Sequence, residues 1–590
     1  MLELFPLGML FFSGICAITL NRLLIGKLGA ICSILTFFVQ LFSEKHVVKL
    51  NWFNFLDFNF SFSFNFGQIE ILFCLIINVI LLCLYYAKPI ICFEKDVCQK
   101  FGVLNVFIFF MCVAILSNNI FQFYIALETL GLISAFLVSL EKNAEMEATK
   151  VFVFNKFASI LFLIGTVLLV LETKSFEISE ISKKDISLLP ACLFLIACLC
   201  KGAQMPFSYW LVDATKANIF ASILIHAGTI IAIGIIFITK FHFIFEQFLI
   251  LKQMMYIVGT VTSIYMGFCA LAHNNLKKII ACLTASSAGI MFIACGLEAY
   301  SVAILYMMCH AFFKSILFLA FAYLISAMSG EKNINRMGGI VKIAPKITNI
   351  VWISFLFASG FPLLTGFFPK VALSTIIKNT DSTILLVATI LATIINVMAI
   401  FRMLFQSIYG ETKADEMTFF RSSKSNEYNY IPFWSLATIS LFASYIIWDI
   451  FKAGHLGFDG EKMTYISTNN ILDSSYILFQ IIVAMSIIVL FERKTSNRIN
   501  EKIALLIRKH GFYKKGITAI TDIIMKCAGI FDMRYRQIAH MCNVETFKEL
   551  YCVGIFLKKT HANYLQNHIT WILFGLTLCI IFIIVETEIG

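Results

Sequence analysis

Stretches of about 20 apolar residues recur along almost the whole of a 590-residue chain, each long enough to carry an α-helix across the hydrocarbon layer of a membrane. No other feature restricts the fold as strongly. A segment inside a bilayer must satisfy its own backbone N–H and C=O groups, and a run of this length does so as a helix. Hydrophobic residues make up 60% of the chain, charged residues 14%, and mean hydropathy is +0.87. A soluble domain carries about 25% charged residues, so this chain lacks the polar surface to cover a water-facing body. The expectation is an all-α polytopic membrane protein with roughly sixteen transmembrane helices and no large extramembrane domain.

The chain contains 62 Phe but only 8 Pro. Phe, Ile, Lys and Asn have AT-rich codons and Pro does not, which suggests an organelle-encoded protein. The 18 Cys are scattered singly through apolar spans with no C-x-x-C pair and read as small hydrophobes. The net charge of +11 suits basic loops against anionic lipid, cardiolipin included, and argues against nucleic acid as a partner. Leu2 to Leu20 carries Glu3 in place of a basic leader and reads as a retained first helix.

The spans group into regions. Residues 1–100 hold N-terminal helices interrupted by a Phe/Asn-rich loop, Asn51–Gly67. Two blocks follow, 101–240 and 254–409, then further spans within 431–491. Between Glu492 and Lys515 eight Lys or Arg face only Glu492 and Glu501, which places that end on the matrix or cytoplasmic side. Over 517–557 apolar residues return at three- and four-residue steps with basic residues between them. This predicts an amphipathic helix about 60 Å long, lying along the membrane or against partner subunits. A last apolar run at 569–585 reads as a C-terminal anchor.

A charge at the bilayer centre costs about 2.5–3.5 kcal/mol on insertion scales, yet several occur here. Glu128 lies in the otherwise uncharged run Phe121–Leu140. Lys201 ends an apolar run and precedes Pro206, His226 interrupts another, and Lys370 follows Pro362, Gly366 and Pro369. His310 and Lys314 stand four apart and share a helix face. Pro- or Gly-broken helices at matching places in two repeats mark ion sites in transporters, which makes Lys201 and Lys370 candidates for equivalent positions. Each residue also has a plain structural reading: Glu128 as a pairing group, the lysines as snorkelling ends, His226 as a bonded interior histidine. Together, Glu128, Lys201, His226, His310, Lys314 and Lys370 fit a proton path. Arg402, near a span end, reads as an anchor. His540, Cys542, Cys552 and His561 match no zinc spacing, and no metal site is expected. No P-loop, G-x-G-x-x-G, haem or iron–sulfur motif is present.

These motifs resemble the antiporter-like membrane subunits of respiratory complex I. Phe123-Tyr124-Ile125-Ala126-Leu127-Glu128 resembles the family's buried-glutamate segment, and Lys201-Gly202-Ala203-Gln204-Met205-Pro206 with Trp210-Leu211-Val212-Asp213-Ala214 its K-S-A-Q-x-P…W-L-P-D-A motif. Ile225-His226-Ala227 and His310-Ala311-Phe312-Phe313-Lys314 are similar to its L-I-H-A and H-A-F-F-K-A, and Gly360-Phe361-Pro362 through Lys370 follows in the family's order. The resemblance implies two inverted antiporter-like repeats containing broken helices, with the lateral helix and anchor as a feature of one member.

It further implies a proton-translocating membrane-arm subunit of NADH:ubiquinone oxidoreductase in the mitochondrial inner membrane. Its partners would be neighbouring antiporter-like chains that the lateral helix spans. NADH, FMN, iron–sulfur clusters and ubiquinone belong to the wider complex, and no cofactor is expected on this chain. Glu128 beside Lys201 would hold that lysine protonated, and withdrawing the acid's charge from a desolvated site would favour proton release. The proton would pass by His226 and water to Lys314 with His310, and then to Lys370. A sodium/proton antiporter subunit and a non-pumping structural clamp are the alternative readings. Three departures bear on the secondary partners: Tyr306 where the family has a second histidine, Asn155-Lys156-Phe157-Ala158-Ser159 in place of Asn-Arg-x-Gly-Asp, and Val371 in place of an aspartate.

Overall fold

The computed structural model describes residues 2–55, 58–87, 97–378, 380, 382–409, 428–453 and 477–486. The basic stretch 492–515, the lateral helix at 517–557 and the anchor at 569–585 lie outside the described residues.

Helices of three to five residues other than Tyr209–Asp213 aside, the described helices are α1 (Phe5–Thr19), α2 (Leu23–Gln40), α3 (Gln68–Tyr86), α4 (Val97–Leu116), α5 (Ile120–Ser139), α6 (Glu145–Thr173) and α7 (Leu188–Lys201). There follow α8 (Tyr209–Asp213), α9 (Ile219–Ala227), α10 (Ile230–Lys240), α11 (Leu249–Ala272), α12 (Leu276–Gly296) and α13 (Tyr300–Ala327). The last are α14 (Pro345–Ser359), α15 (Phe367–Lys378), α16 (Thr383–Ile408), α17 (Ile431–Lys452) and α18 (Ile477–Ser486). Among the described residues eleven helices, with α9 and α10 counted as one, are long and apolar enough to cross a membrane. The estimate of roughly sixteen spans also took in runs that fold as short helices, such as α1, α7 and α18, and the C-terminal run outside the described residues.

The Asn51–Gly67 loop is a correction. It is the greater part of an antiparallel hairpin, β1 (His46–Phe55) against β2 (Phe58–Phe66), with His46 opposite Phe66 and Leu50 opposite Phe62. Phe58, Phe60, Phe62, Phe64 and Phe66 alternate with Asn or Ser, the period-2 signature of a strand with one apolar face. The hairpin seals the connection into α5: Ser63 N donates to Gln122 Oε1 (2.7 Å), Asn118 N to Ser63 O (2.8 Å), and Ser61 Oγ to Glu177 Oε1 (3.0 Å).

The backbone contains a repeat that no residue-by-residue comparison displays. Ile120 N donates to Phe176 O and Ile178 N to Asn118 O, at 3.0 and 3.2 Å. The same pair of bonds recurs 156 residues on (120 to 276, 176 to 332, 178 to 334, 118 to 274), both at 2.9 Å. Asn119 caps α5 through Phe121 N and Gln122 N, and Asn275 caps α12 through Lys277 N and Lys278 N, each oxygen satisfying two orphan donors of a first turn. Five crossings separate the two caps: α5, α6, the broken α7–α8, α9–α10 and α11. An odd number puts the caps on opposite membrane faces, so the second repeat is inverted relative to the first.

Burial divides the helices by role. Every residue in the apolar windows of α9–α10, α12 and α13 is buried, against 28% for α2 and 44% for each of α6, α11, α16 and α17. The outer helices keep apolar stripes such as Phe157, Ile160, Ile164, Val167 and Leu171 exposed, the surface a membrane protein offers to lipid or to neighbouring subunits. Arg402 of α16 is the anchor expected: its guanidinium donates to Leu271 O (2.6 Å), His273 O (2.9 Å) and Asn274 Oδ1 (2.6 Å), tying α16 to the start of the second repeat.

Candidate proton-transfer site

Both repeats break one helix at mid-course. In the first, α7 stops at Lys201, and the chain turns through Gly202–Ser208 before α8. In the second, α14 stops at Ser359, and Gly360–Gly366 leads into α15. Pro362 sits in that second turn, whereas Pro369 lies in the first turn of α15, where a missing N–H costs little. The two lysines are not equivalents of one another. By position at the end of the half-helix, the second-repeat counterpart of Lys201 on α7 is Ser359 on α14; Lys370 comes from the far side of its break. Yet Lys370 Nζ reaches back to donate to Ser359 O at 2.5 Å, so both repeats put an ammonium at the carbonyl end of a half-helix, where the helix dipole favours a cation. Gly360 allows this. It adopts a left-handed φ of +82°, and a Cβ there would stand 2.8 Å from Lys370 Cδ.

Lys201, 1% exposed, donates to Leu127 O (3.2 Å) and to Asn155 Oδ1 (3.1 Å). Gly131, one turn after Leu127, makes room: a Cβ there would lie 3.0 Å from Lys201 Nζ. Glu128 is therefore not the direct partner of Lys201 that the family pattern implied. Its carboxylate pairs with Lys156 of α6 instead. On a helix, Leu127 and Glu128 point 100° apart, so the backbone beside Leu127 meets Lys201 while Glu128 turns toward α6. Both side chains of that ion pair keep partial exposure, 20% and 34%, at the outer flank of the path. Lys156, Asn155 and Gly131 carry parts of the site that the sequence reading did not assign. Lys156 had a signal available, a cation within the apolar run 151–173.

His226 lies in the last turn of α9, before Gly228 and Thr229 interrupt the helix. Its ring stacks on Phe318 of α13, with centroids 5.3 Å apart and planes 18° apart. Neither ring nitrogen has a hydrogen-bond partner among the described residues, and the same holds for Gln204 Oε1 and His310 Nδ1. Buried polar atoms of this kind are ordinarily satisfied by water when protein offers nothing. The His310 ring meets the backbone carbonyl of His226, so these two histidines are brought together. His310 and Lys314 lie on one face of α13, both buried. Lys277 also ends in this region, its Nζ donating to Ala217 O at 2.8 Å.

Two cavities continue the row. The first is bounded by Ser287, Tyr306, Phe313, Lys314, Lys370 and Asn396, among others, and leaves about 20 Å³ open to the centre of a water molecule. The second, of about 30 Å³ on the same measure, runs from Tyr306 and Lys370 past Ser374 and Thr389 to Gln480. Each has room for at least one water, which needs about 10–15 Å³ of such volume. Direct contact joins Glu128 to Lys156 and His226 to His310, and a cavity joins Lys314 to Lys370. Among the described residues Lys201 and His226 are not directly bonded, Lys201 donating instead to Leu127 O and Asn155 Oδ1.

Inverted repeats, paired broken helices and a row of ionisable groups in the apolar core make the chain similar to the antiporter-like membrane subunits of complex I and Mrp complexes. Residues 117–396 match the family described as NADH:quinone oxidoreductase/Mrp antiporter, transmembrane. The chain is similar to NADH-ubiquinone oxidoreductase chain 5. It is 30% identical to the chain 5 of Mus musculus over 351 residues, 58% of this chain and 57% of that one, and 29% identical to that of Canis lupus over 354 residues, 59% and 58%. The match thus spans less than two thirds of these relatives' length. Among solved structures the fold is similar to a chain of the Mrp complex from Dietzia sp., with a TM-score of 0.69 at 17% identity, over 94% of this chain and 61% of that one. It is also similar to a chain of respiratory complex I from Thermus thermophilus, with a TM-score of 0.62 at 16% identity, over 75% and 100%.

Proposed function

We propose that this chain is a proton-translocating membrane-arm subunit of NADH:ubiquinone oxidoreductase in the mitochondrial inner membrane. Quinone reduction elsewhere in the complex would drive charge changes along the row from Glu128 to Lys370. The observation that carries the reading is the cavity shared by Lys314, which is buried, and Lys370, which is half-buried, with room for water between the two amines. Amines in a desolvated site exchange protons when a neighbouring charge changes, because each ammonium is penalised by burial and by the other's charge. At the other end, the Glu128–Lys156 pair faces outward and supplies the charge that a neighbouring subunit can bias. Asn155, the residue just before Lys156 on the same helix, bonds Lys201, so a shift in that ion pair reaches the first buried lysine through adjacent residues of α6.

The chain's own contribution is proton transfer. NADH, FMN, iron–sulfur clusters and ubiquinone belong on other subunits, and neighbouring antiporter-like chains are its partners. Replacing Lys201 or Lys370 with Met should cut proton translocation by vesicles carrying the complex several-fold while the complex still assembles. Undiminished translocation in both variants would defeat the proposal. A second reading, a cation/proton antiporter subunit, is favoured by the similarity to the Mrp chain; copurification of this chain with iron–sulfur subunits excludes it.

A further inference from the structure

Tyr306 lines both cavities, as do Ile290, Lys370 and Thr393. It lies one turn before His310 and two before Lys314 on α13, so the three side chains share a helix face. Its ring is 3% exposed, and Ser287 of α12 bounds the cavity that it shares with Lys314 and Lys370. Ser287 Oγ already donates to Leu283 O at 2.8 Å. A hydroxyl has one proton to give, so Ser287 offers the cavity side only an acceptor, and a phenol that donates toward it keeps an oxygen lone pair for water. Nearby, Asn396 Oδ1 is buried with no partner among the described residues and bounds the cavity that Lys314 and Lys370 share.

We propose that Tyr306 is the positioning residue for proton transfer between Lys314 and Lys370, its phenol oxygen fixing the water that bridges the two amines. This rests on the proton-translocating reading above. In the step itself, the Lys314 ammonium gives a proton to the bridging water as that water gives one of its own to the neutral Lys370 amine. One N–H bond breaks at Lys314 and one forms at Lys370, a single positive charge moves, and no oxidant or reductant is consumed. The phenol keeps its own proton, directed at Ser287, and acts only by holding the water in line between the ammonium and the neutral amine. A tyrosine is suited to this where an imidazole is not required: it accepts and donates without taking a charge of its own near neutral pH.

The test uses membrane vesicles carrying the intact complex, with proton uptake measured against NADH oxidation in Tyr306→Phe, Tyr306→His, Ser287→Ala and Lys314→Met. Tyr306→Phe should lower the proton-to-electron ratio about fivefold or more and raise the solvent deuterium isotope effect on uptake. Tyr306→His, which offers a ring nitrogen to the same water, should restore at least half. A merely structural role would leave the isotope effect where it was. If Lys314→Met abolishes uptake while Tyr306→Phe matches the parent in ratio and isotope effect, this inference fails and the broader reading stands. Unchanged uptake in Lys314→Met overturns both. Should Tyr306→Phe fail to assemble, Ser287→Ala decides: it frees the phenol, and an unaltered ratio overturns the inference.

Discussion

Replacing Asn155 with leucine removes one of the two acceptors that hold the Lys201 ammonium, with little change in side-chain volume. The Oδ1–Nζ distance is 3.1 Å, and the remaining acceptor, Leu127 O, lies at 3.2 Å. A hydrogen bond to a charged group contributes about 1.5–3 kcal/mol. Since about 1.4 kcal/mol is tenfold, the protonated form of Lys201 should lose about 10- to 100-fold in its equilibrium. Asn155 also donates through Nδ2 to Val151 O at 2.8 Å, but that carbonyl lies in the body of α6, so the loss there is small. In vesicles carrying the complex, Asn155→Leu should slow proton uptake about tenfold or more at unchanged NADH-driven electron entry. Asn155→Asp should slow it too, by the opposite route, because a carboxylate at that distance holds the proton on Lys201. Uptake matching the parent in Asn155→Leu would refute the placement of Lys201 in the path.

Two other outcomes concern stability. Lys240 and Glu70 are buried together, with Nζ and Oε1 3.8 Å apart and side chains 4% and 5% exposed; Lys240→Met alone should cost about 3–5 kcal/mol by stranding a buried carboxylate, whereas adding Glu70→Gln should recover much of the lost thermal stability, and a double variant no better than the single would contradict the pairing. On the loop after α13, partial burial pushes the Glu331 carboxyl up, but the backbone N–H groups of Asn333 and Lys332 and the Arg336 guanidinium outweigh it and hold the group below its ordinary 4.5. A lowered folded value means that this stabilisation is complete above the unfolded value and is lost as pH falls through the folded one. The melting difference between the parent and Glu331→Gln should therefore shrink from pH 6.5 to pH 4, and a gap that stays constant would count against it.

Much of the candidate site could be read from residue type and neighbourhood. Glu128, Lys201, His226, His310, Lys314 and Lys370 announce themselves because an ionisable group in an apolar run is costly. The same criterion, applied evenly, would have picked out Lys156, and Glu70 with Lys240, which the motif order passed over. What could not be read was pairing. A one-residue step turns a helical side chain by about 100°, enough to give Leu127's carbonyl to Lys201 and Glu128's carboxylate to Lys156. The hairpin was legible in principle, since its Phe and Asn/Ser residues alternate strictly, but low complexity hid the period.

By itself the sequence determined that this chain lives in a membrane as helices, and where its charges fall along each of them. Those are properties of single segments, set by transfer free energy and helical period. The tertiary structure alone decided that the halves repeat 156 residues apart, that Lys370 reaches across its break to the counterpart of Lys201, and that Tyr306 stands between two cavities. These are relations between segments distant in the chain. Local hydrophobicity does not encode them, because many pairings of apolar helices bury equal area and only side-chain fit and backbone hydrogen bonds at the breaks select one.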